Sequence, residues 1–592
     1  MALKTKADPT TISTVWHSLQ RICWEMRHVI DRTGQSYLMT QLHDISVGLW
    51  DSQAQTVAVP VGLPVQFLAG KFAVAYILEK FGDDIHPGDV FLSNDPYHGH
   101  TCHLPDWGFF RPIFDGDELR FFALARGHQM DTGGAYPGAY FPNGYDIHAE
   151  GLCIPPIKIY DRGIERSDVL ELIWNNVRYR EAVRMDNYAM LASLRIAERR
   201  LGELADKYGA DTVVECIREM YERTERAVRE EIRRIPNGQY FGESATDDDG
   251  TVADEPVWVR CRATVAEDRL TLDFSESDDQ RKGFVNAIYA STYSIAMAAT
   301  FLFMDPSLAD YHNEGSMKAI DIIAPPGKVV NAQYPATVGA SPVNVGRQIM
   351  ESTVAALSHA LPHKAIAAWG RRWGHYLYGV DTRTGEPYLQ TTFDPDGSAG
   401  AVYGHDGYQG AVSLTTLGSV NRGNVEELES RFPWKCLKYE LAPDTAGAGR
   451  WPGGSGIHWE WLNEGSDAGM ATGSSEGERT FGQGEQGGEP TPPSHAWIRH
   501  GENLTRVDGH RMYQVKSGEV LLKLSGGGAG VGNPLEREPE KVWQSVRDGL
   551  LSADRARTLY GVVVQQTGID ELATGRERAA RLNGVAATSA RK

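Results

Sequence analysis

Six side chains of the kinds that bind divalent metals lie in one short stretch of the sequence, between Asn94 and Gly134. They are His98, His100, His103, Asp106, His128 and Asp131. Imidazole nitrogens with carboxylate oxygens form a mixed donor set that suits zinc, manganese or iron and leaves positions open for water or substrate. Hydrogen-bonded histidines on a surface loop are the alternative. The H-x-x-D spacing alone favours that alternative, and the density of the cluster favours a metal site.

Two local features could bring three of these side chains together. Pro105 fixes its own φ and disfavours a helix at Leu104. An extended chain would place His103 and Asp106 on opposite faces, whereas a turn at Pro105 would let them converge. His128 follows FFALAR, which predicts a strand, so a strand pair could place it beside His103.

The elements that must support this stretch are indicated by hydrophobic spacing. Apolar residues at three- and four-residue steps predict a helix over 10–30, ended by Gly34. A hairpin (ISVGLWD and TVAVPV), a helix over 67–81 and a strand VFLS follow. Asp168 with Glu171 predicts a capping box that opens a helical region reaching about Arg234.

The later part of the chain predicts a hairpin over 256–275, helices over 287–304 and 346–361, and short strands with glycine loops from 376 to about 515. Helices over 539–550 and 552–558, a short strand GVVVQ and a frayed polar tail complete the prediction. The fold class is therefore mixed α/β (α+β) and multi-domain, with helix-rich and strand-rich regions segregated. The predicted regions are 1–165 with the metal site, 166–240 as a charged helical segment, 241–375 with a buried helix, 376–535 rich in strands and glycine, and 536–592 with the C-terminal helices.

Composition excludes several classes of protein. The chain has 592 residues and a formal charge of −19, without a basic run interleaved with aromatics, which argues against a nucleic-acid partner. The six cysteines are scattered and predict free thiols. The start of the sequence lacks the features of a secretory leader. The apolar run Ala287–Met304 has the minimum length for a membrane span, but its hydroxyl side chains favour a buried helix. We therefore expect a cytoplasmic protein with no membrane association.

Glycine-rich segments offer no convincing nucleotide site. The sequence has no GxxxxGK[ST] loop, and the pattern beginning at Gly482 leads into GEPTPPS instead of a helix. The runs Thr445–Gly456 and Ser525–Gly532 could bind an anion through backbone amides. Tight turns between strands are the more common explanation of such runs. No cofactor-binding residues are predicted in this chain.

Several motifs together resemble the hydantoinase B/oxoprolinase family. They are NDPY followed by HLPD, then PIFDGDEL, ARGHQMDTGG, EGLCIPPIK, the block RFPWKCLKYELAPDTAGAGRWPGGSG and the segment SGGGAGVGNPLEREPEKV. They occur in order over nearly the whole chain. The resemblance implies one component of a hetero-oligomer, with two or more copies, in which a larger hydantoinase A-type ATPase subunit uses ATP to phosphorylate the substrate.

The resemblance also implies the ligands and the reaction. It places a divalent metal on His103, Asp106 and His128, with Asp44 of the segment HDIS as a fourth ligand. The hypothesis is a metal-bearing subunit that opens a small cyclic amide after carbonyl phosphorylation. The alternative is a subunit of an ATP-dependent ketone carboxylase, of the acetone or acetophenone type. A non-catalytic scaffold for the ATPase is the third possibility.

Supporting roles are assigned to the remaining polar residues. Asp131 and Glu150 are candidates for catalytic roles, either orienting a ligand histidine or transferring protons. The family usually has glycines before HLPD, whereas this chain has His98, His100 and Cys102 there. His98 and His100 are therefore expected beside the ligands, with His100 orienting a ligand carboxylate.

Overall fold

The computed structural model describes residues 7–371, 374–392, 396–411, 413–474 and 476–589. Within these ranges helices combine with five β-sheets, of which the largest has 7 strands. The predicted mixed α+β class is confirmed. The region boundaries remain a prediction. One hydrophobic cluster joins side chains from several of the predicted regions, among them Trp50, Val259, Ile349, Trp459 and Leu521.

The helices are α1 (Pro9–Thr33), α2 (Pro64–Phe67), α3 (Gly70–Phe81), α4 (Ile147–Glu150), α5 (Ser167–Trp174), α6 (Arg180–Tyr208), α7 (Ala210–Arg233), α8 (Tyr289–Phe301), α9 (Glu314–Met317), α10 (Val345–Ala360), α11 (Val425–Arg431), α12 (Pro539–Arg547), α13 (Ala553–Tyr560) and α14 (Glu571–Ser589). The strands are β1 (Ile45–Asp51), β2 (Thr56–Val61), β3 (Val90–Ser93), β4 (Asp106–Asp115), β5 (Glu118–His128), β6 (Ile157–Asp161), β7 (Ile164–Glu165), β8 (Gly238–Thr246), β9 (Val257–Ala266), β10 (Arg269–Asp273), β11 (Ile320–Ile323), β12 (His375–Val380), β13 (Pro387–Thr392), β14 (Trp434–Leu441), β15 (Ile457–Asn463), β16 (Ala468–Thr472), β17 (His495–His500), β18 (Asn503–Val507), β19 (Met512–Val515), β20 (Val520–Leu524), β21 (Val564–Gln565) and β22 (Gly568–Ile569).

The largest sheet has the order β2-β1-β5-β4-β3-β6-β7 and is covered on both faces. Phe109 and Ala123 belong to a core that also contains side chains of α1 and α6. Phe110 and Leu124 belong to a second core, which includes α8. Because successive strand residues point to opposite faces, double burial explains why FFALA is an uninterrupted apolar run.

The apolar segment near residue 290 forms a helix of the protein interior. Helix α8 has 13 residues, and its side chains from Ala290 to Thr300 are buried. Among the residues that the structure describes, no helix is both long enough and apolar enough to cross a membrane. The prediction of a buried helix is confirmed.

The two glycine-rich runs pack against each other, backbone to backbone. The amide of Gly527 donates to the Thr445 carbonyl at 2.7 Å, and the amide of Gly528 donates to the Gly454 carbonyl at 2.9 Å. A Cβ on Gly453 would lie 1.9 Å from the carbonyl oxygen of Gly528, so only glycine fits there. These amides are therefore not available to an anion.

Four local predictions differ from the structure, two of them only in part. Helix α5 begins without a side-chain cap, because the Asp168 carboxylate pairs with Arg166 at 3.0 Å. The helix predicted over 67–81 is divided into α2 and α3, and Gly70 packs closely on the Trp50 indole. Only Val564 and Gln565 of GVVVQ form a strand. The predicted frayed tail contains α14, which Arg578 anchors by donating to the Tyr560 carbonyl at 2.9 Å.

Candidate metal centre

Three of the four proposed ligands lie at neighbouring strand ends. Asp44 directly precedes β1, Asp106 is the first residue of β4 and His128 is the last residue of β5. Strand β5 lies between the other two, and Asp106 pairs with His128 in the β4–β5 register. The His128 amide also donates to the Asp44 carbonyl at 3.1 Å. The sheet register therefore brings the three side chains together.

A tight turn adds His103 to this group. The Asp106 amide donates to the His103 carbonyl at 3.2 Å, which closes a turn around Pro105. The Thr101 hydroxyl donates to the Asp106 carbonyl at 2.8 Å and braces the turn. His103 and Asp106 therefore converge, as a turn at Pro105 would require.

The donor atoms are spaced as ligands of one ion would be. His103 Nε2 lies 3.2 Å from Asp106 Oδ1, and His128 Nδ1 lies 3.5 Å from the same oxygen. His128 Nδ1 is 3.8 Å from Asp44 Oδ2. Ligands at roughly 2.0–2.2 Å from a shared ion are separated by about 3–3.5 Å from each other. The residues present thus fit a small divalent metal with two nitrogen and two oxygen donors.

Glu150 acts on His103 through the backbone. His103 Nδ1 donates to the Gly339 carbonyl at 2.7 Å, which turns Nε2 toward the carboxylates. Glu150 Oε1 accepts from the amides of Val338 and Gly339, each at 2.9 Å. Burial raises the pKa of Glu150 to about 8. Through these contacts Glu150 can position the His103 ring. Orienting a proposed ligand histidine is one of the two roles predicted for Glu150.

The charged side chains of the site shift one another's pKa values. Burial opposes ionisation of Asp106, but His103 and His128 outweigh it and hold the pKa of Asp106 well below its usual range. Burial lowers the pKa of His103, and the neighbouring Asp106 carboxylate outweighs burial so that this pKa is raised. Burial raises the pKa of Asp44, which His128 partly offsets. A metal binding here would displace protons from these groups.

Gln66 connects the two carboxylates and was not found from the sequence. Its Nε2 donates to Asp44 Oδ1 at 2.7 Å and to Asp106 Oδ1 at 3.2 Å. Ser46 Oγ donates to Gln66 Oε1 at 2.7 Å, which fixes the amide in this orientation. Buried Arg126 donates to the Gln66 carbonyl at 2.6 Å. No motif marks this glutamine, because its role follows from its place in the short helix α2.

Replacing Gln66 by methionine should weaken metal binding by about 10- to 100-fold, the usual effect of losing a residue that orients the ligands. Methionine nearly preserves the volume but cannot donate to Asp44 and Asp106. Competition with a chromophoric chelator measures the affinity. Gln53→Met, on the exposed turn between β1 and β2, is the control. Equal affinities in the two variants would show that the amide does not orient the carboxylates.

Asp131 is an anchor for the following loop. Its oxygens accept from the amides of Gly133, Gly138 and Arg178, at 3.1, 3.0 and 2.8 Å. The Arg178 guanidinium also lies 3.2 Å from Asp131 Oδ1. Asp131 is not among the described residues that line the cavity of the metal centre. Its predicted catalytic role therefore has no geometric support.

The residues preceding HLPD lie outside the cavity as well. His98 Nδ1 is 2.7 Å from Asp95 Oδ2, and the His100 ring packs against Phe72 and Tyr76. Burial lowers the pKa of His100 to about 4. Cys102 Sγ donates to the Val65 carbonyl, and burial raises the pKa of this thiol to about 12. None of these contacts reaches a ligand carboxylate, so the role predicted for His100 is not supported by its contacts.

The cavity beside the four proposed ligands is small, with a volume of about 30 Å³. Its walls combine apolar and aromatic side chains with a wall of hydroxyl groups from the 413–416 segment: Leu63, Val65, Tyr140, Pro342, Val343, Val420, Ser413, Thr415 and Thr416. The Tyr140 ring stacks on His128 with the ring centres 6.2 Å apart. This volume is enough for about one water molecule.

A buried ion network supports the wall that carries the hydroxyl groups. Arg347 Nη2 donates to Ser413 Oγ at 3.3 Å, and Arg347 Nε lies 3.2 Å from Glu476 Oε2. Arg371 Nη2 lies 3.1 Å from Glu351 Oε2. The side chains of Arg347 and Glu476 are fully buried. Two arginines and two glutamates thus balance their charges behind the cavity.

The fold agrees with the comparison to known proteins. Residues 8–534 match the sequence profile described as hydantoinase B/oxoprolinase. The chain belongs to this family, as the motifs indicated.

Two relatives and two solved structures match nearly the whole chain. The chain is 31% identical to the beta subunit of caprolactamase from Pseudomonas jessenii, over 97% of this chain and 99% of the relative. The crystal structure of that ATP-dependent caprolactamase superposes with a TM-score of 0.89. The B-type subunit of a putative D-/L-hydantoinase from Pseudomonas sp. (strain NS671) is 30% identical, over 94% of this chain and 96% of the relative. Nucleotide-free acetone carboxylase has a TM-score of 0.88 at 19% identity, covering 99% of this chain and 85% of that one, which indicates a shared fold only.

Proposed function

We propose that this chain is the metal-bearing subunit of an ATP-dependent cyclic-amide hydrolase, working with a larger ATP-binding partner. The observation that carries the proposal is that ligand atoms of His103, Asp106 and His128 lie within 4.8 Å of one another in a buried site. Similarity to the beta subunit of caprolactamase over nearly the whole chain supports the same reaction class.

The division of labour follows from the chemistry of amides. An amide carbonyl is a poor electrophile, and phosphorylation of its oxygen provides a good leaving group. The sequence has no GxxxxGK[ST] loop, which agrees with ATP being bound by another chain. His103 Nε2, His128 Nδ1 and the carboxylates of Asp106 and Asp44 would hold a zinc, manganese or iron ion. When bound, such an ion lowers the pKa of water and polarises an oxygen of the substrate.

The surrounding residues orient the ligands and exclude bulk water. Gln66 holds the two carboxylates, and Glu150 holds the Gly339 peptide to which His103 donates. The apolar side chains of Leu63 and Val343 line the cavity and limit the access of bulk water. Because the cavity has room for about one water, admission of a cyclic amide requires movement of a wall such as the 413–416 segment.

Reconstitution with the ATPase partner tests the proposal. We expect ATP-dependent opening of a hydantoin or a lactam that requires both chains and is lost when the metal is removed by chelation. If this chain alone hydrolyses ATP and opens the ring, the division of labour is wrong. Incorporation of labelled bicarbonate into a ketone would instead identify a carboxylase. Unchanged turnover by metal-free protein would indicate a scaffold.

A further inference from the structure

A second cleft lies between β8, α10 and residues 479–490. It has a volume of about 670 Å³, within the usual range for small-molecule sites, and shares no lining residue with the cavity of the metal centre. The rings of Phe241, Trp258 and Phe481 line it. Glu485 also lines this cleft.

Glu485 is buried without compensation. The residue is 6% exposed, and none of the described residues donates a hydrogen bond to its carboxylate. Its nearest basic neighbour is His359, whose Nε2 lies 4.0 Å from Glu485 Oε2, too far for a hydrogen bond. Burial alone raises the pKa of Glu485 to about 7. An ionised carboxylate in such a place is costly unless a cation or donor reaches it.

The orientation of the His359 ring leaves two hydrogen-bond acceptors, His359 Nε2 and the Glu485 carboxylate, facing each other without a donor from the described residues between them. His359 Nδ1 lies 2.8 Å from the Phe241 carbonyl and donates to it. The Nε2 of the neutral ring therefore presents a lone pair toward Glu485. A group with several N–H donors placed between them would satisfy both.

The other charged side chains of the cleft have partners. Glu243 pairs with Arg260 at 3.3 Å, and Glu351, in a small adjoining cavity, pairs with Arg371 at 3.1 Å. The one arginine among the described lining residues, Arg479, has its guanidinium 3.3 Å from Asp248 and 2.6 Å from Asp254. Its charge is therefore neutralised outside the cleft.

We propose that this cleft binds an organic cation, a primary ammonium or guanidinium group carried on an apolar chain. The cationic head would donate to Glu485 and His359, and the apolar body would pack against Phe241, Trp258 and Phe481. Aromatic faces also attract cations. This site is independent of the proposed hydrolase function, because its binding needs neither the metal nor the partner.

Calorimetric titration of the full chain with butylammonium tests the site. At about pH 8.5 the carboxyl is ionised and the ammonium remains protonated. We expect saturable binding that Glu485→Gln weakens by at least about tenfold, the loss of a hydrogen bond to a charged group. Glu502→Gln, which removes the same charge from an exposed hairpin, should bind like the wild type.

Each of the following results would overturn the proposal. Equal binding by Glu485→Gln would show that the carboxylate is not the receptor, and equal binding of 1-butanol would indicate a merely apolar cleft. Displacement of butylammonium by equimolar Mg²⁺ would indicate a site for an inorganic ion. If circular dichroism shows that Glu485→Gln does not fold, His359→Ala is used instead, because the His359 ring is exposed. His359→Ala is expected to bind butylammonium several-fold more weakly than the wild type. Unchanged affinity in His359→Ala would then refute the site.

Discussion

His128→Ala is expected to leave the protein without stoichiometric metal and to reduce turnover of the reconstituted enzyme by at least about 100-fold. Losing a residue that only orients a ligand costs about 10- to 100-fold in metal affinity or activity, and a ligand should matter more. His128 is the last residue of β5, so removing its ring leaves the β4–β5 pairing in place. Elemental analysis and ATP-dependent ring opening measure the two effects.

His98→Ala is the matched control for this substitution. His98 lies in the same stretch, but its side chain is 54% exposed and pairs with Asp95. It should retain wild-type metal content and turnover. Full metal occupancy in His128→Ala would refute the ligand assignment. Loss of metal with unchanged turnover would support the scaffold alternative.

Arg347→Met is expected to lower the free energy of unfolding by about 3–5 kcal/mol, the cost of leaving one partner of a buried ion pair unpaired. The substitution keeps an unbranched side chain but leaves Glu476 buried without the Arg347 charge. It also removes the donor to Ser413. Urea denaturation of the purified chain, followed by far-ultraviolet circular dichroism, measures the change.

Arg431→Met provides the comparison for a surface pair. Arg431 and Glu427 are one helical turn apart on α11 and both remain partly exposed. Such pairs contribute about 0.3–0.5 kcal/mol, so this variant should unfold nearly like the wild type. If both variants lose equally little free energy of unfolding, the buried network does not stabilise the fold. A double variant Arg347→Met with Glu476→Leu should recover part of the loss, because no unpaired charge remains.

The sequence predicted correctly those structural features that depend on residues close together in the chain. Helix α1 has a single apolar stripe, and its predicted limits 10–30 lie within the observed Pro9–Thr33. The turn that brings His103 to Asp106 could be anticipated because proline restricts the backbone around it. The pairing of β4 with β5 was predicted as a possibility, but its register, which places Asp106 opposite His128, is a property of the whole sheet.

The remaining parts depend on contacts between distant segments. Nothing near Gln66 in the sequence indicates that its amide reaches both Asp44 and Asp106. Asp131 resembled a catalytic residue because it follows His128 closely, yet its partners include Arg178 in a later segment. Helix α14 was missed because its polar composition carries no strong period, and Arg578 holds it to residues of the preceding elements.

The glycine bundle of residues 445–456 and 525–532 limits how the protein can be altered. Its backbones approach so closely that even a methyl group on Gly453 would push the two segments apart. Its hydrogen bonds join parts of the chain that lie far apart in sequence. A chain cut before Ser525 would leave the carbonyls of Thr445 and Gly454 without their partners. Insertions, tags or fusion points in either run should therefore cause misfolding, whereas the exposed turn at Gly501 between β17 and β18 should accept them.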